Sequence, residues 1–374
     1  GGGRGYYALD ITNPAAPSLL WEFTPANDPN LGYTFGNPVI TKKSNGDWVV
    51  LVTSGYNNIP DANYPLANTN NGKGFLYVLN AIDGPNVSFG KIGTGDGSVA
   101  IPSGLAKIAT WADDPEKNNT ATYTYGGDLL GNVWRFDINA GTAFKFAVLK
   151  EGSTAQPITT RPELGKVLTS DGVAHRVVYV GTGKYLETLD LTDLQQQTLY
   201  AIKDDNAIVT FDDPRNGTGA NLMVQQTLTT TGANRTASNY PVYFNINRGW
   251  FVDFAPNGER QNVASQLVLG TLLVPTTVPS NTVCAPGGTS WLNYFNYKTG
   301  GAVDTASNLV STLMNSPIVG VNVLYIPDSS GKIKPVISTV TAGHPTPDIV
   351  PGVPFSSSGS GFQKKRVIWH ELIQ

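Results

Sequence analysis

The chain has 374 residues, a formal net charge of −3 and only 14% charged residues, which leaves no electrostatic basis for binding nucleic acid. No apolar run approaches the roughly 20 residues that a membrane-crossing helix needs. With 41 Gly, 25 Pro and 10% aromatic residues, the composition suits an all-β protein rich in turns.

In chain order, one short phrase returns: Tyr6-Tyr-Ala-Leu-Asp10, Leu76-Tyr-Val-Leu-Asn80, Val133-Trp-Arg-Phe-Asp137, Leu199-Tyr-Ala-Ile-Lys203 and Trp291-Leu-Asn-Tyr-Phe-Asn296. Gly5, Gly74, Gly131 and Gly288 precede most copies. An Asx-x-x-x-Gly turn follows several, over Asn80 to Gly84, Asp137 to Gly141 and Asn296 to Gly300. Alternating strands between glycine turns describe hairpins. Their repetition every several tens of residues describes one sheet unit reused around a ring, a propeller.

Further strands are expected at Trp48–Thr53, Arg176–Val180, Lys334–Val340 and Arg366–His370. Tyr243–Ile246 and Gly249–Phe254 read as a hairpin. Leu267–Val274 reads as one long strand with a central glycine. Gly and Pro interrupt every candidate helix except Asp190–Gln197, where Asp190 or Thr192 can cap a short one. Long loops fall at 57–73, 113–122, 204–221 and 345–360, and loops on a rigid β-scaffold are where binding usually resides. No composition break divides the chain, which reads as one domain over 1–374. The terminal Arg366–Ile373 is placed to close the ring with the first strand, hiding edges that would otherwise pair with other molecules. The opening Gly1-Gly-Gly-Arg-Gly5 runs straight into a strand, so the chain is expected to be a piece of a longer protein.

Catalytic constellations are missing. His175, His344 and His370 are far apart, and no metal or nucleophile signature accompanies them. Gly181-Thr-Gly-Lys184 lacks phosphate-loop spacing and reads as a strand turn. Lys364-Lys-Arg366 reads as a solvated strand end. The single cysteine, Cys284, forbids an internal disulfide and reads as an inert thiol. Asp128, Asp137, Asp253 and Glu259 lie at strand ends, where such carboxylates receive turn N–H groups.

The loop Asp113–Thr122 offers an oxygen at alternate positions, Asp114, Glu116, Asn118, Thr120 and Thr122, the spacing a calcium loop uses. Asn119 stands where the left-handed glycine of such loops normally sits. A solvated acidic loop is the other reading.

The chain resembles the C-terminal propeller domain of the PilC/PilY-type proteins of the type IV pilus tip. The matching stretches are Gly1–Pro14 with Leu20-Trp-Glu-Phe23, Leu31–Gly36, Gly55-Tyr-Asn-Asn58, Tyr125–Asp137, Gly181–Leu186, Gly249–Phe254 with Gly258-Glu-Arg260, and Trp369–Ile373. The resemblance implies an all-β, modified β-propeller of about seven blades with long loop insertions and at most short helices. It implies a non-enzymatic protein, exported to the bacterial surface or pilus tip. Such a protein supports pilus assembly, retraction control, twitching motility and adhesion. Its implied partners are pilus-tip minor pilins and a host-surface or matrix ligand. It also implies calcium at Asp114, Glu116, Asn118, Thr122 and the Thr120 carbonyl, with substitutions at all but the first of the family's acidic positions. A quinoprotein-type dehydrogenase is the alternative, although the vicinal cysteine pair of that class has no counterpart here. A carbohydrate-binding propeller using Tyr56, Tyr64 and Tyr240 is a third reading.

Overall fold

A computed structural model describes residues 2–62, 70–115, 117–280, 287–327 and 331–356. The ring-closing strand expected over 366–373, Cys284, His370, Tyr64 and Glu116 all lie outside the described residues.

The described residues form seven sheets, one of them the small ribbon Lys150–Glu151 with Thr154–Ala155. The other six follow one another along the chain. The first pairs Tyr6–Asp10 with Ser18–Phe23. The second runs Val39–Lys42, Trp48–Thr53, Phe75–Asn80 and Gly90–Gly93 as an antiparallel meander. The third starts Ile108–Trp111, Tyr123–Gly127, Asn132–Asp137 and Thr142–Val148. The fourth starts Glu163–Leu168, Ala174–Gly181, Thr198–Asp204 and Gly249–Asp253. The fifth starts Gln266–Val268, Thr271–Val278, Thr289–Asn296 and Leu309–Met314. The sixth is Ile318–Pro327, Ile333–Thr341 and His344–Val350.

From the second sheet to the sixth, the first strand of each sheet lies at its edge. Neighbouring first strands touch from the second sheet through to the fifth. These strands therefore gather at the inner side of the ring, as propeller blades do.

What holds the sheets face to face is visible in the strand Trp48–Thr53. Successive side chains point to opposite faces of a sheet. Val50 and Val52 pack with Tyr6, Trp21, Phe23 and Tyr77 on the side of the first sheet. Val49 and Leu51 pack with Leu76, Ile108, Trp134 and Phe136 on the side of the third. The same double use repeats along the chain, giving five apolar clusters that fill five successive interfaces between six sheets. Each fully buried Val or Leu contributes about 1.5–3 kcal/mol.

The segment between Asp204 and Gly249 modifies this plan. Phe211–Asp212 adds in parallel to Thr142–Val148 of the third sheet. Met223–Gln226 adds in parallel to Gly249–Asp253 of the fourth. Leu228–Thr231 and Asn234–Ala237 extend the fifth through Leu309–Met314. One insertion thus laces three sheets together.

Three expectations are corrected. Tyr243–Ile246 is a turn, with Ile246 N–H donating to the Tyr243 carbonyl at 2.8 Å. Gly249–Asp253 pairs with Thr198–Asp204 instead. Leu267–Val274 is a hairpin, folded back at Leu269 and Gly270, whose φ values are 45° and 78°. Two left-handed residues in succession make the tight turn that matches strand twist. The helix expected over Asp190–Gln197 is a four-residue 3-10 turn, Thr188–Leu191. Its Asp190 carboxylate reaches back to the N–H groups of Leu186 and Glu187, at 2.7 and 3.0 Å. Gln195 and Gln196 then donate to the distant carbonyls of Ala155 and Phe254, both at 2.8 Å, which holds that stretch extended.

The repeated Asx-x-x-x-Gly phrase forms the same turn each time. Gly84, Gly141 and Gly300 donate N–H to the carbonyls of Asn80, Asp137 and Asn296 at 2.9, 2.9 and 2.8 Å. The side-chain oxygen of each leading residue accepts from the N–H two positions on, at 2.8, 2.9 and 3.0 Å. The glycine φ values are 56°, 70° and 73°, a region that disfavours any Cβ.

Candidate functional site

The loop 113–122 connects the first two strands of the third sheet. It is tied to the second sheet: the Asn119 carbonyl accepts from Thr41 Oγ1 at 2.6 Å and from Lys42 N–H at 3.1 Å. Ala121 N–H returns a bond to the Lys42 carbonyl at 2.9 Å. Asp113 anchors the other end, accepting from Trp111 Nε1 at 2.7 Å and from Thr122 Oγ1 at 2.9 Å. Burial raises the Asp113 pKa, but those two bonds and the charges of Arg176 and Lys166 outweigh it, holding the carboxyl below its ordinary value.

The expected calcium ligands stand as follows. Asp114 faces Lys117, Oδ2 to Nζ 3.2 Å, on an exposed stretch. Asn118 Oδ1 accepts from Thr120 N–H at 3.1 Å and from its Oγ1 at 2.7 Å. The Thr122 hydroxyl donates to Asp113. Asn119 is not among the described residues with positive φ, so the left-handed turn expected there is corrected. The donor set is all oxygen, as a hard cation requires, and each described member already has a partner within the protein. Among the described residues no group of three or more His, Cys, Asp and Glu is placed to hold a metal.

Behind this loop lies a cleft of about 400 Å³, lined by Trp111, Asp113, Lys166, His175, Arg176 and Asp204, among others. Its floor is a charge network. Asp204 accepts from Arg135 Nη1 at 2.6 Å and from the Tyr125 hydroxyl at 2.5 Å. Burial, then the Asp204 charge, pushes the Tyr125 phenol far above its ordinary value. Arg135 lies between the rings of Tyr123 and Phe144, 4.9 and 4.8 Å from their centroids. Arg176 also stacks on Tyr123 at 4.9 Å and donates to Asn206 Oδ1 at 2.5 Å. His175 Nδ1 lies 3.1 Å from Asp205. Sequence reasoning missed this network. The one signal was Arg135, a charged residue inside an apolar strand phrase.

The strand-end carboxylates divide. Asp128 and Asp137 accept turn N–H groups as expected, Asp128 from Leu130 and Asn132 at 3.0 and 2.9 Å. Asp253 instead pairs with Arg215. Glu259 does both, accepting the turn N–H of Ala255 at 3.2 Å and pairing with Arg235 through two bonds of 2.8 and 2.7 Å. Of the tyrosines considered for sugar contact, Tyr56 is buried and Tyr240 is exposed.

This architecture is that of a β-propeller built from lateral sheet packing, with no helix beyond 3-10 turns among the described residues. Residues 1–147 match the family model described as the PilY1 beta-propeller domain. The chain is 30% identical over 351 residues to the type IV pilus biogenesis factor PilY1 of Pseudomonas aeruginosa strain PAO1, an alignment covering 80% of this chain and 28% of that protein. A PilY1 homolog of Xylella fastidiosa is 29% identical over 396 residues, covering 100% of this chain and 29% of its own length. The crystal structure of the P. aeruginosa PilY1 C-terminal domain superposes with a TM-score of 0.69 at 23% identity, over 94% of this chain and 78% of that one. Residues 1–147 thus fall in the PilY1 beta-propeller domain family, and similarity to PilY1-type proteins extends along the rest of the chain. It spans less than a third of the length of these curated relatives.

Proposed function

We propose that this propeller is a non-enzymatic interaction module of a type IV pilus system, acting at the pilus tip or cell surface. One observation carries the reading: the 351-residue alignment with a protein named as a type IV pilus biogenesis factor. The laced sheets supply a rigid platform, and the loops between strands supply adaptable contacts. Its roles on this reading are support of pilus assembly, control of retraction, twitching motility and adhesion. Its partners are minor pilins at the tip and a host-surface or matrix ligand. Calcium on Asp114, Glu116, Asn118, Thr120 and Thr122 belongs to the same proposal, and requires Asp114 to exchange Lys117 for the metal.

The test is fractionation. In bacteria producing the full-length protein with a tag in this domain, the proposal expects the tag in sheared pili. Loss of the tag from that fraction on deleting the minor pilins supports a tip location. A tag found only in the periplasm contradicts the reading.

A further inference from the structure

We infer that the cleft between the second and third sheets seats a tryptophan side chain of a partner polypeptide. The cleft measures about 330 Å³ and is lined by Val49, Val78, Gly90, Ile92, Ile138 and Gly141, among others. That size lies at the lower end of small-ligand sites.

Repetition within the chain points to the occupant. In the first and fourth sheets the third residue of the strand phrase is alanine, and a tryptophan stands opposite it on the next strand. Ala8 pairs with Trp21, and Ala201 with Trp250. Each tryptophan is buried and covers the glycine of an Asx turn in the following sheet, Gly84 or Gly300. Each donates Nε1–H to the carbonyl of the residue after the leading Asn, Ala81 at 3.2 Å and Tyr297 at 3.1 Å. In the second sheet the third residue of the phrase is Val78, and the residue opposite is Gly90. The Asx turn of the following sheet ends at Gly141, which is exposed and has nothing within 4 Å of the place of a Cβ. The corresponding carbonyl, on Ile138, accepts no hydrogen bond from a described residue. The space that an indole fills in two other sheets is here the cleft, with a floor of buried Val49, Val78, Ile92 and Ile138.

Charge does not select the occupant. On the rim, Lys91 pairs with Asp28 at 2.6 Å, and Lys43 and Asp47 carry opposite signs. An aromatic ring with one N–H donor matches both the apolar floor and the Ile138 carbonyl. A polypeptide can deliver it. Gly90–Gly93 is the outer edge of the second sheet, and among the described residues no strand pairs with its outer side. In the third, fourth and fifth sheets, insertion strands add beyond the fourth strand. An extended partner backbone can bond the open edge while its tryptophan enters the cleft. The inference stands on these residues and does not depend on the pilus reading.

The test is fluorine NMR of a capped Gly-Trp-Gly peptide carrying 5-fluorotryptophan, titrated with the 374-residue chain. The inference expects the fluorine line to shift and broaden, and the unlabelled peptide to reverse both. The N1-methyl peptide, which lacks the donor, is expected to compete about tenfold more weakly. The leucine peptide and free indole are each expected to compete at least about tenfold more weakly. Gly90 has no positive φ, and a Cβ there would stand 3.2 Å from Val78 Cβ. Gly90→Trp is therefore combined with Val78→Ala, which rebuilds the Ala–Trp pair of the other two sheets. This double variant is expected to lose peptide binding and to unfold at or above the parent temperature. Binding that survives in it, or a double variant that does not fold, overturns the seat. Leucine competing as well as tryptophan overturns the ring assignment, and free indole competing as well as the peptide overturns the polypeptide source.

Discussion

Trp250 lies against Gly300 so closely that a Cβ on that glycine would stand 2.4 Å from the indole Cε3. The indole also donates Nε1–H to the Tyr297 carbonyl at 3.1 Å. Trp21 repeats the arrangement: a Cβ on Gly84 would meet its Cγ at 2.3 Å, and it donates to the Ala81 carbonyl at 3.2 Å. In both cases a tryptophan of one sheet docks on the Asx turn of the next, in the position just after the leading Asn. The third turn, ending at Gly141, has nothing within 4 Å of such a Cβ.

The three glycines therefore predict a graded series. Gly141→Ala should lose only the left-handed backbone penalty, about 1 kcal/mol. Gly84→Ala and Gly300→Ala should add a clash with a fixed ring, for about 3 kcal/mol in all. Chemical denaturation of the three variants checks this. Equal losses would show that the tryptophans do not dock as described.

The Arg235–Glu259 pair is buried at 2% and 0% side-chain exposure. The guanidinium lies 3.8 Å from the Trp291 ring centroid, and Thr276 Oγ1 donates to Glu259 at 2.5 Å. Glu259→Ala leaves an unpaired buried cation and should lose about 3–5 kcal/mol. Replacing both partners with Met should lose much less than the sum of the two single changes. A double-mutant cycle by urea unfolding reads the coupling directly.

Lys107 predicts a pH dependence of definite sign. Its pKa is lowered in the folded state by burial and by Arg161, so the unfolded chain holds the proton more tightly. Between the lowered pKa and the ordinary lysine value, stability should rise with pH. Below that window the unfavourable charge is fully present. Lys107→Met should therefore raise the unfolding temperature at pH 7, and the gain should shrink as pH climbs through the alkaline window. A gain that grows with pH would contradict the repulsion.

For the loop, calcium titration should release heat that Asp114→Ala removes. Lys117→Ala should tighten calcium about two- to fivefold, since an exposed ion pair is worth up to about 1 kcal/mol to the competing lysine. Heat unchanged by Asp114→Ala would place any calcium elsewhere.

The repeated strands were legible because their signals are local. A period of two and an Asx turn closed by glycine act within ten residues, and the Asn80, Asp137 and Asn296 turns formed where the phrase stood. The insertion was not legible, because its partners are remote: Phe211 pairs with Ala147, and Met223 with Gly249. Tyr243–Ile246 has strand-like residues, yet the better partner for Gly249–Asp253 lay on Thr198–Asp204. Leu269 adopts a left-handed conformation that sequence rules reserve for Gly or Asn. Its N-terminal neighbour Val268 is buried in the cluster joining the fifth and sixth sheets, and the Leu269 carbonyl accepts from Ser356 at 3.0 Å. The cleft network failed for the same reason as the insertion, since Arg135 and Asp204 meet only in three dimensions.

The most direct measurement is an in-frame deletion of the coding segment for residues 1–374 in the bacterium's own gene, followed by counting surface pili and twitching zones. The account predicts loss of both, with recovery on restoring the segment in place. Normal piliation, twitching and surface attachment in the deletion strain would contradict it.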